Sequence, residues 1–95
     1  MSNLPILYIR RSCSWCREAV AFFQQHGVDV ELRDVNFSPQ NMRRMAEISG
    51  QSLTPTLEYG DFVISDFSVN ELVDELAEKP ELRRELGISD HLEDD

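Results

Sequence analysis

The chain has 95 residues, two cysteines, one tryptophan and a formal net charge of −9. That length supports one small domain around one apolar core; the apolar runs are far too short to span a membrane, and so acidic a domain repels nucleic-acid backbones. The charge is uneven: residues 1–49 carry six arginines against five acids, whereas residues 50–95 carry three cations against thirteen acids.

Residues 4–9 form an apolar run without alternation, as in a central strand buried on both faces, with Pro5 tolerable near its start. Arg10-Arg11 follows this run instead of preceding it, which is not the order of a secretory leader, so the expected location is the cytoplasm. From residue 14 to about residue 25, Cys16, Ala19, Val20 and Phe23 fall on one helical face, and His26-Gly27 suits the helix end. Residues 28–33 alternate strictly, as a half-exposed edge strand does. Ser38-Pro39 reads as the cap and first residue of a second helix ending near Gly50. Residues 56–59 and 62–64 read as strands joined by the two-residue loop Gly60-Asp61. Ser68 and Glu71 form a capping box for a helix with Val69, Leu72, Val73 and Leu76 on one stripe. Pro80 stops it, and a short helical piece spans 81–86 before Gly87. The domain therefore occupies residues 1–88, followed by a flexible acidic tail over 89–95. The order β-α-β-α-β-β-α implies an α/β fold with a four-stranded mixed sheet flanked by helices on both faces.

Cys13 and Cys16 stand where the first strand gives way to the first helix. Unpaired backbone N–H groups and the positive end of the helix dipole point at the first sulfur there. With Arg10 and Arg11 beside it, the Cys13 thiol is expected to ionise easily, and the thiolate is the reactive form. Cys16, one turn on, lies within disulfide reach and keeps a higher pKa, because a thiolate next door disfavours a second negative charge. In a reducing compartment such a pair is catalytic or metal-binding more often than structural. Zinc takes about four ligands, and the other candidates are His26 and His91. His26 is roughly 15 Å along the same helix, which argues against a zinc site within one chain. Arg10, Arg11 and Arg17 make a basic patch suited to a small anionic ligand. Trp15 is either an exposed aromatic lip for a ligand or a cover over the helix start.

This element order, with Cys-x-x-Cys at the first strand–helix junction and Thr54-Pro55 before the third strand, resembles the thioredoxin fold. In size and in the short lead-in to the cysteines it resembles the glutaredoxin family, over roughly residues 4–78. The resemblance implies a thiol–disulfide oxidoreductase acting on protein disulfides or glutathione mixed disulfides, with Cys13 as nucleophile and Cys16 as resolving thiol. It implies glutathione contacts from Arg10, Trp15, Thr54, Pro55 (as a cis-proline), Ser65 and Asp66. The last two fall near the loop that holds the γ-glutamyl end in that family. The chain departs from the pattern twice. Cys-Ser-Trp-Cys replaces the usual Cys-Pro-Tyr-Cys, and no glycine pair stands in residues 64–67. Ser65-Asp66-Phe67 is also similar to the Ser-Gly-Phe of glutaredoxin-like electron donors recycled by thioredoxin reductase. Ser14 matches a subset that carries a subunit-bridging iron–sulfur cluster on the first cysteine of each subunit and two glutathiones. The implied partners are glutathione and disulfide-containing or glutathionylated proteins, the chain being a monomer unless a cluster joins two copies.

Overall fold

The computed structural model describes residues 4–88, so the expected acidic tail and His91 lie outside the described residues. In chain order the elements are β1 (Ile6–Ile9), α1 (Ser14–Gln25), β2 (Glu31–Asp34), α2 (Pro39–Ser49), β3 (Thr56–Tyr59), β4 (Phe62–Ser65), α3 (Val69–Ala77) and α4 (Pro80–Leu86). The strands form one sheet in the order β2-β1-β3-β4. β1 runs parallel to β2 and antiparallel to β3, and β3 pairs antiparallel with β4. The mixed sheet expected from the sequence is therefore present, with β1 inside it and β2 at an edge.

Alternation along β1 divides the core in two. Leu7 sits opposite Leu57 of β3, and both are buried with Ala19, Phe22 and Phe23 of α1 and Leu72 and Leu76 of α3. Tyr8 points to the other face and packs with Val35 and with Met45 of α2. Helices thus cover both faces, and α1 is pinned to the sheet by the stripe that the helical period predicts.

Three of the boundaries that differ from the expectation have clear causes. β1 starts at Ile6 because Pro5 has no N–H to give the ladder; the Pro5 carbonyl instead accepts from the Glu31 N–H at 2.8 Å, and Leu4 stays exposed. β2 starts at Glu31, not residue 28. The N–H groups of Gly27 and Val28 are used to close α1, donating to the carbonyls of Gln24 and Phe23, and Gly27 supplies the positive φ of +68° that this turn needs. Val28 and Val30 pack against the core from outside the strand. Pro80 does follow the end of α3, but it also serves as the first residue of α4, with Lys79 held out of helical geometry ahead of it.

One polar group crosses the core. The Tyr8 hydroxyl, on a fully buried ring, donates to Glu58 Oε1 at 2.8 Å, and Arg44 holds Glu58 Oε2 at 2.7 Å. Burial, then the bond to Glu58, pushes the Tyr8 phenol up to about 12. An unfolded tyrosine ionises near 10, so the folded state keeps a proton that the unfolded state loses. This stabilisation is complete below pH 10 and disappears as pH rises towards 12. Tyr8→Phe should therefore cost about 1–2 kcal/mol at neutral pH. It should also flatten the fall in denaturation midpoint between pH 10 and 12; an unchanged alkaline limb would show that Tyr8 is not its source.

Candidate active site

After Ile9 the chain turns tightly, the Cys13 N–H donating to the Arg10 carbonyl at 3.2 Å, and Cys13 becomes the N-cap of α1. Its extended backbone (φ −91°, ψ 114°) swings Sγ over the helix end, where the Cys16 N–H donates to it at 3.1 Å. Cysteine here takes the role that Ser38 and Ser68 play for α2 and α3. Cys16 sits one turn further on, 1% exposed, and both thiols are free.

A second wall faces the Cys13 sulfur. The Thr54–Pro55 peptide is cis, and the Thr54 carbonyl oxygen accepts from Cys13 Sγ at 3.7 Å. Thr54 and Pro55 are buried. The Asp66 N–H donates to the Pro55 carbonyl at 2.7 Å, which brings the end of β4 beside this loop. Ser65 is half-buried in register with Thr56, while Asp66 is exposed at a φ of +54°, a left-handed conformation that asparagine and aspartate adopt more readily than most residues. Trp15 is 42% exposed, so it forms a lip and not a cover. The structure thus brings Arg10, Cys13, Cys16, Thr54, Pro55 and the Ser65–Asp66 loop into one neighbourhood.

Arg10 differs from the sequence reading. Its guanidinium is used to brace the loop: it donates to Asn36 Oδ1 at 3.2 Å, Thr54 Oγ1 at 3.3 Å and the Ser52 carbonyl at 2.9 Å. The Cys13 thiol is nevertheless held below its ordinary value. Partial burial opposes ionisation, but hydrogen bonds from the Cys16 thiol, from the Thr54 side chain and from the Cys16 and Trp15 N–H groups outweigh it. Hydrogen bonding, more than arginine charge, is what lowers this thiol. Burial, reinforced by the bond to Cys13, pushes Cys16 up to about 11.

Sequence reasoning missed Gln51. Its side-chain amide donates to Ser49 Oγ, Thr56 Oγ1 and the Leu53 carbonyl, and its oxygen accepts from the Leu53 N–H at 2.7 Å. The Thr56 hydroxyl also donates to the Leu53 carbonyl, at 2.8 Å. Gln51 thus ties the end of α2 to the start of β3 and fixes the loop that presents Thr54. No local pattern marks such a residue, because its partners are defined only once the loop has closed. Among the described residues no three His, Cys, Asp or Glu side chains converge as a metal site; His26 lies at the far end of α1, against Phe22.

Comparison with known proteins agrees with this geometry. The glutaredoxin family model matches residues 6–64. The global transcriptional regulator Spx of Lactiplantibacillus plantarum is 29% identical, the match covering 85% of this chain and 69% of the regulator. The structure of glutaredoxin from Brucella melitensis is 24% identical and superposes with a TM-score of 0.64, covering 88% of each chain. A buckwheat glutaredoxin–glutathione complex is 17% identical, with a TM-score of 0.67 over 92% of this chain and 83% of that one. At these identities the two structures speak for the thioredoxin-like fold alone.

Two outcomes are expected from alkylation with iodoacetamide across pH. Cys13 should react with a midpoint below the usual thiol value of about 8.5, while Cys16 stays protected until the pH approaches its own value of about 11. Gln51→Ala should raise the Cys13 midpoint by loosening Thr54 and cost about 1–2 kcal/mol of stability. A stability loss with no change in midpoint would separate Gln51 from the thiol.

Proposed function

Because this chain belongs to the glutaredoxin family, we propose that it is a glutathione-dependent thiol–disulfide oxidoreductase of the cytoplasm, using Cys13 and Cys16. The observation that carries this reading is the Cys13 sulfur serving as N-cap, accepting the Cys16 N–H with the Cys16 thiol buried behind it. A thiolate in that position is stabilised by a charge-assisted hydrogen bond and by the helix dipole.

In the proposed cycle the Cys13 thiolate attacks one sulfur of a substrate disulfide. A Cys13 mixed disulfide forms, the substrate S–S bond breaks, and the other sulfur leaves as a thiolate that takes up a proton. When the substrate is a glutathione mixed disulfide, the protein thiol is the leaving group, and a second glutathione thiolate then attacks the glutathione sulfur held on Cys13, releasing oxidised glutathione and the Cys13 thiolate. When it is a protein disulfide, Cys16 attacks the Cys13 sulfur, freeing the reduced protein and forming an intramolecular disulfide that two glutathiones reduce, themselves becoming oxidised glutathione. Glutathione would lie against Thr54-Pro55, its backbone pairing with Thr54 as a strand would. Arg10, Trp15 and the Ser65–Asp66 loop are the proposed further contacts. The hollow beside Ser65–Phe67 is lined by Asp66, Glu71, Asp74 and Glu75, an environment that suits the γ-glutamyl ammonium and not its carboxylate. A bridging iron–sulfur cluster would take Cys13 from each of two copies, and Ser14 is the residue that favours that second reading.

The deciding assay is turnover of a glutathione mixed disulfide with glutathione, glutathione reductase and NADPH, run beside one with thioredoxin reductase. Activity in the first alone is the expected result; activity in the second alone would remove glutathione from the site. Silence in both, with visible absorbance after anaerobic purification, would favour the cluster carrier. Cys13→Ser should lose all exchange activity, and Cys16→Ser should lose protein-disulfide reduction while largely keeping deglutathionylation.

A further inference from the structure

We propose that the groove between α1 and the edge strand β2 docks an extended acidic segment of the disulfide partner, anchored there by an apolar side chain. The partner's identity as a disulfide substrate rests on the oxidoreductase reading; the docking itself does not. The groove encloses about 310 Å³. Ile9, Val20, Ala21 and Leu32 provide its apolar floor, and Arg10, Arg11 and Arg17 stand around its cysteine end. No acid lines it. Of the proposed glutathione contacts only Arg10 lines it; Trp15, Thr54, Pro55, Ser65 and Asp66 do not, so the two flanks meet at Arg10 and otherwise diverge. Cys16 does line it, so an occupant would pass beside the resolving thiol.

Charge selects the occupant. On a chain of net charge −9, Arg33 and Arg44 are in ion pairs at 2.7 Å with Glu31 and Glu58. Arg11 is different: its side chain is 89% exposed and its ion pair with Asp34 is long, at 3.7 Å. The Arg17 guanidinium donates to the Arg11 carbonyl and has no ion pair among the described residues. These two cations remain available to a partner carboxylate. The opposite flank, lined by Asp66, Glu71, Asp74 and Glu75, would repel the same segment, which fixes the side on which it lies.

Shape and polarity fit an extended segment. Leu32 is 48% exposed, in register with Leu7 and so on the α1 side of the sheet. Among the described residues β2 has no further strand neighbour, leaving an edge that an added strand can pair with. Phe37, 82% exposed, continues the apolar surface past Arg11 beyond the end of β2. An apolar surface beside two cations, one in a long ion pair and one in none among the described residues, is the complement of a segment alternating acids with a large aliphatic residue.

The test uses a labelled, cysteine-free peptide of acidic residues around a central leucine, and its lysine counterpart, with binding read by fluorescence anisotropy. At low salt the acidic peptide should bind at least about tenfold tighter, and the gap should shrink as salt screens it. Its amide shifts should centre on Val20, Ala21 and Leu32. The double variant Arg11→Glu, Arg17→Glu should abolish the preference; Leu32→Ser, which leaves the charges in place, should weaken the acidic peptide's binding. Equal affinity for the two peptides, a preference that survives charge reversal, or shifts confined to Trp15 and Leu53 would overturn the proposal. Turnover of 2-hydroxyethyl disulfide by the unmodified protein judges the redox reading separately. Acid-selective binding without that turnover would support the docking groove while removing the oxidoreductase assignment.

Discussion

The bond from the Cys16 N–H to the Cys13 sulfur organises this molecule's reactive end. A helix N-terminus leaves its first N–H groups without partners, and an oxygen side chain normally answers one of them. Serines stand on both sides of Cys13, so oxygen caps were within reach of a small shift in helix start. The core decides against them. Cys16, Ala19 and Phe23 must all face the sheet, and burying that stripe sets the phase of α1. With the phase set, position 13 is the cap and its sulfur receives the N–H. A reactive group is thereby held in place by the hydrophobic packing of residues that do no chemistry.

The opposing wall is built differently, from polar contacts between loops. Arg10 reaches from the end of β1 to Ser52 and Thr54, and Gln51 binds Ser49, Leu53 and Thr56. A loop with few apolar contacts is costly to order, and these bonds offset that cost where Thr54 must meet Cys13. Arg10 therefore matters first as a brace. Its charge also remains near the site, so a contact with a bound anion would be made by a side chain already fixed in direction.

Much of this was legible in the sequence because it is local. The caps at Ser38 and Ser68, the Gly60-Asp61 hairpin and the cysteine placement each depend on a few neighbouring residues whose physics is well defined. The start of β2 was not, since residues 28–30 alternate as a strand does while their N–H groups are partly consumed in ending α1. Gln51 was invisible for a similar reason: its worth lies in partners that only the closed loop supplies. The bracing bonds of Arg10 were not legible either, because nearness in sequence shows which charges lie close and says nothing of the partners that the folded loop brings to them.

The two thiols also differ in a way that orders events. Cys16 is held protonated by burial first and by its bond to Cys13 second. Once Cys13 has entered a mixed disulfide, its negative charge is gone and its sulfur no longer draws on the Cys16 thiol. That removes the smaller barrier to ionising Cys16 and leaves the larger one, because the residue stays buried. In the proposed cycle, resolution by Cys16 would thus be eased by the first step yet still opposed by burial. A small external thiol reaching the exposed side of Cys13 meets no such penalty. In that proposed cycle the packing that fixes the helix register would also favour an external thiol, with Cys16 acting where a bulky partner keeps that thiol away.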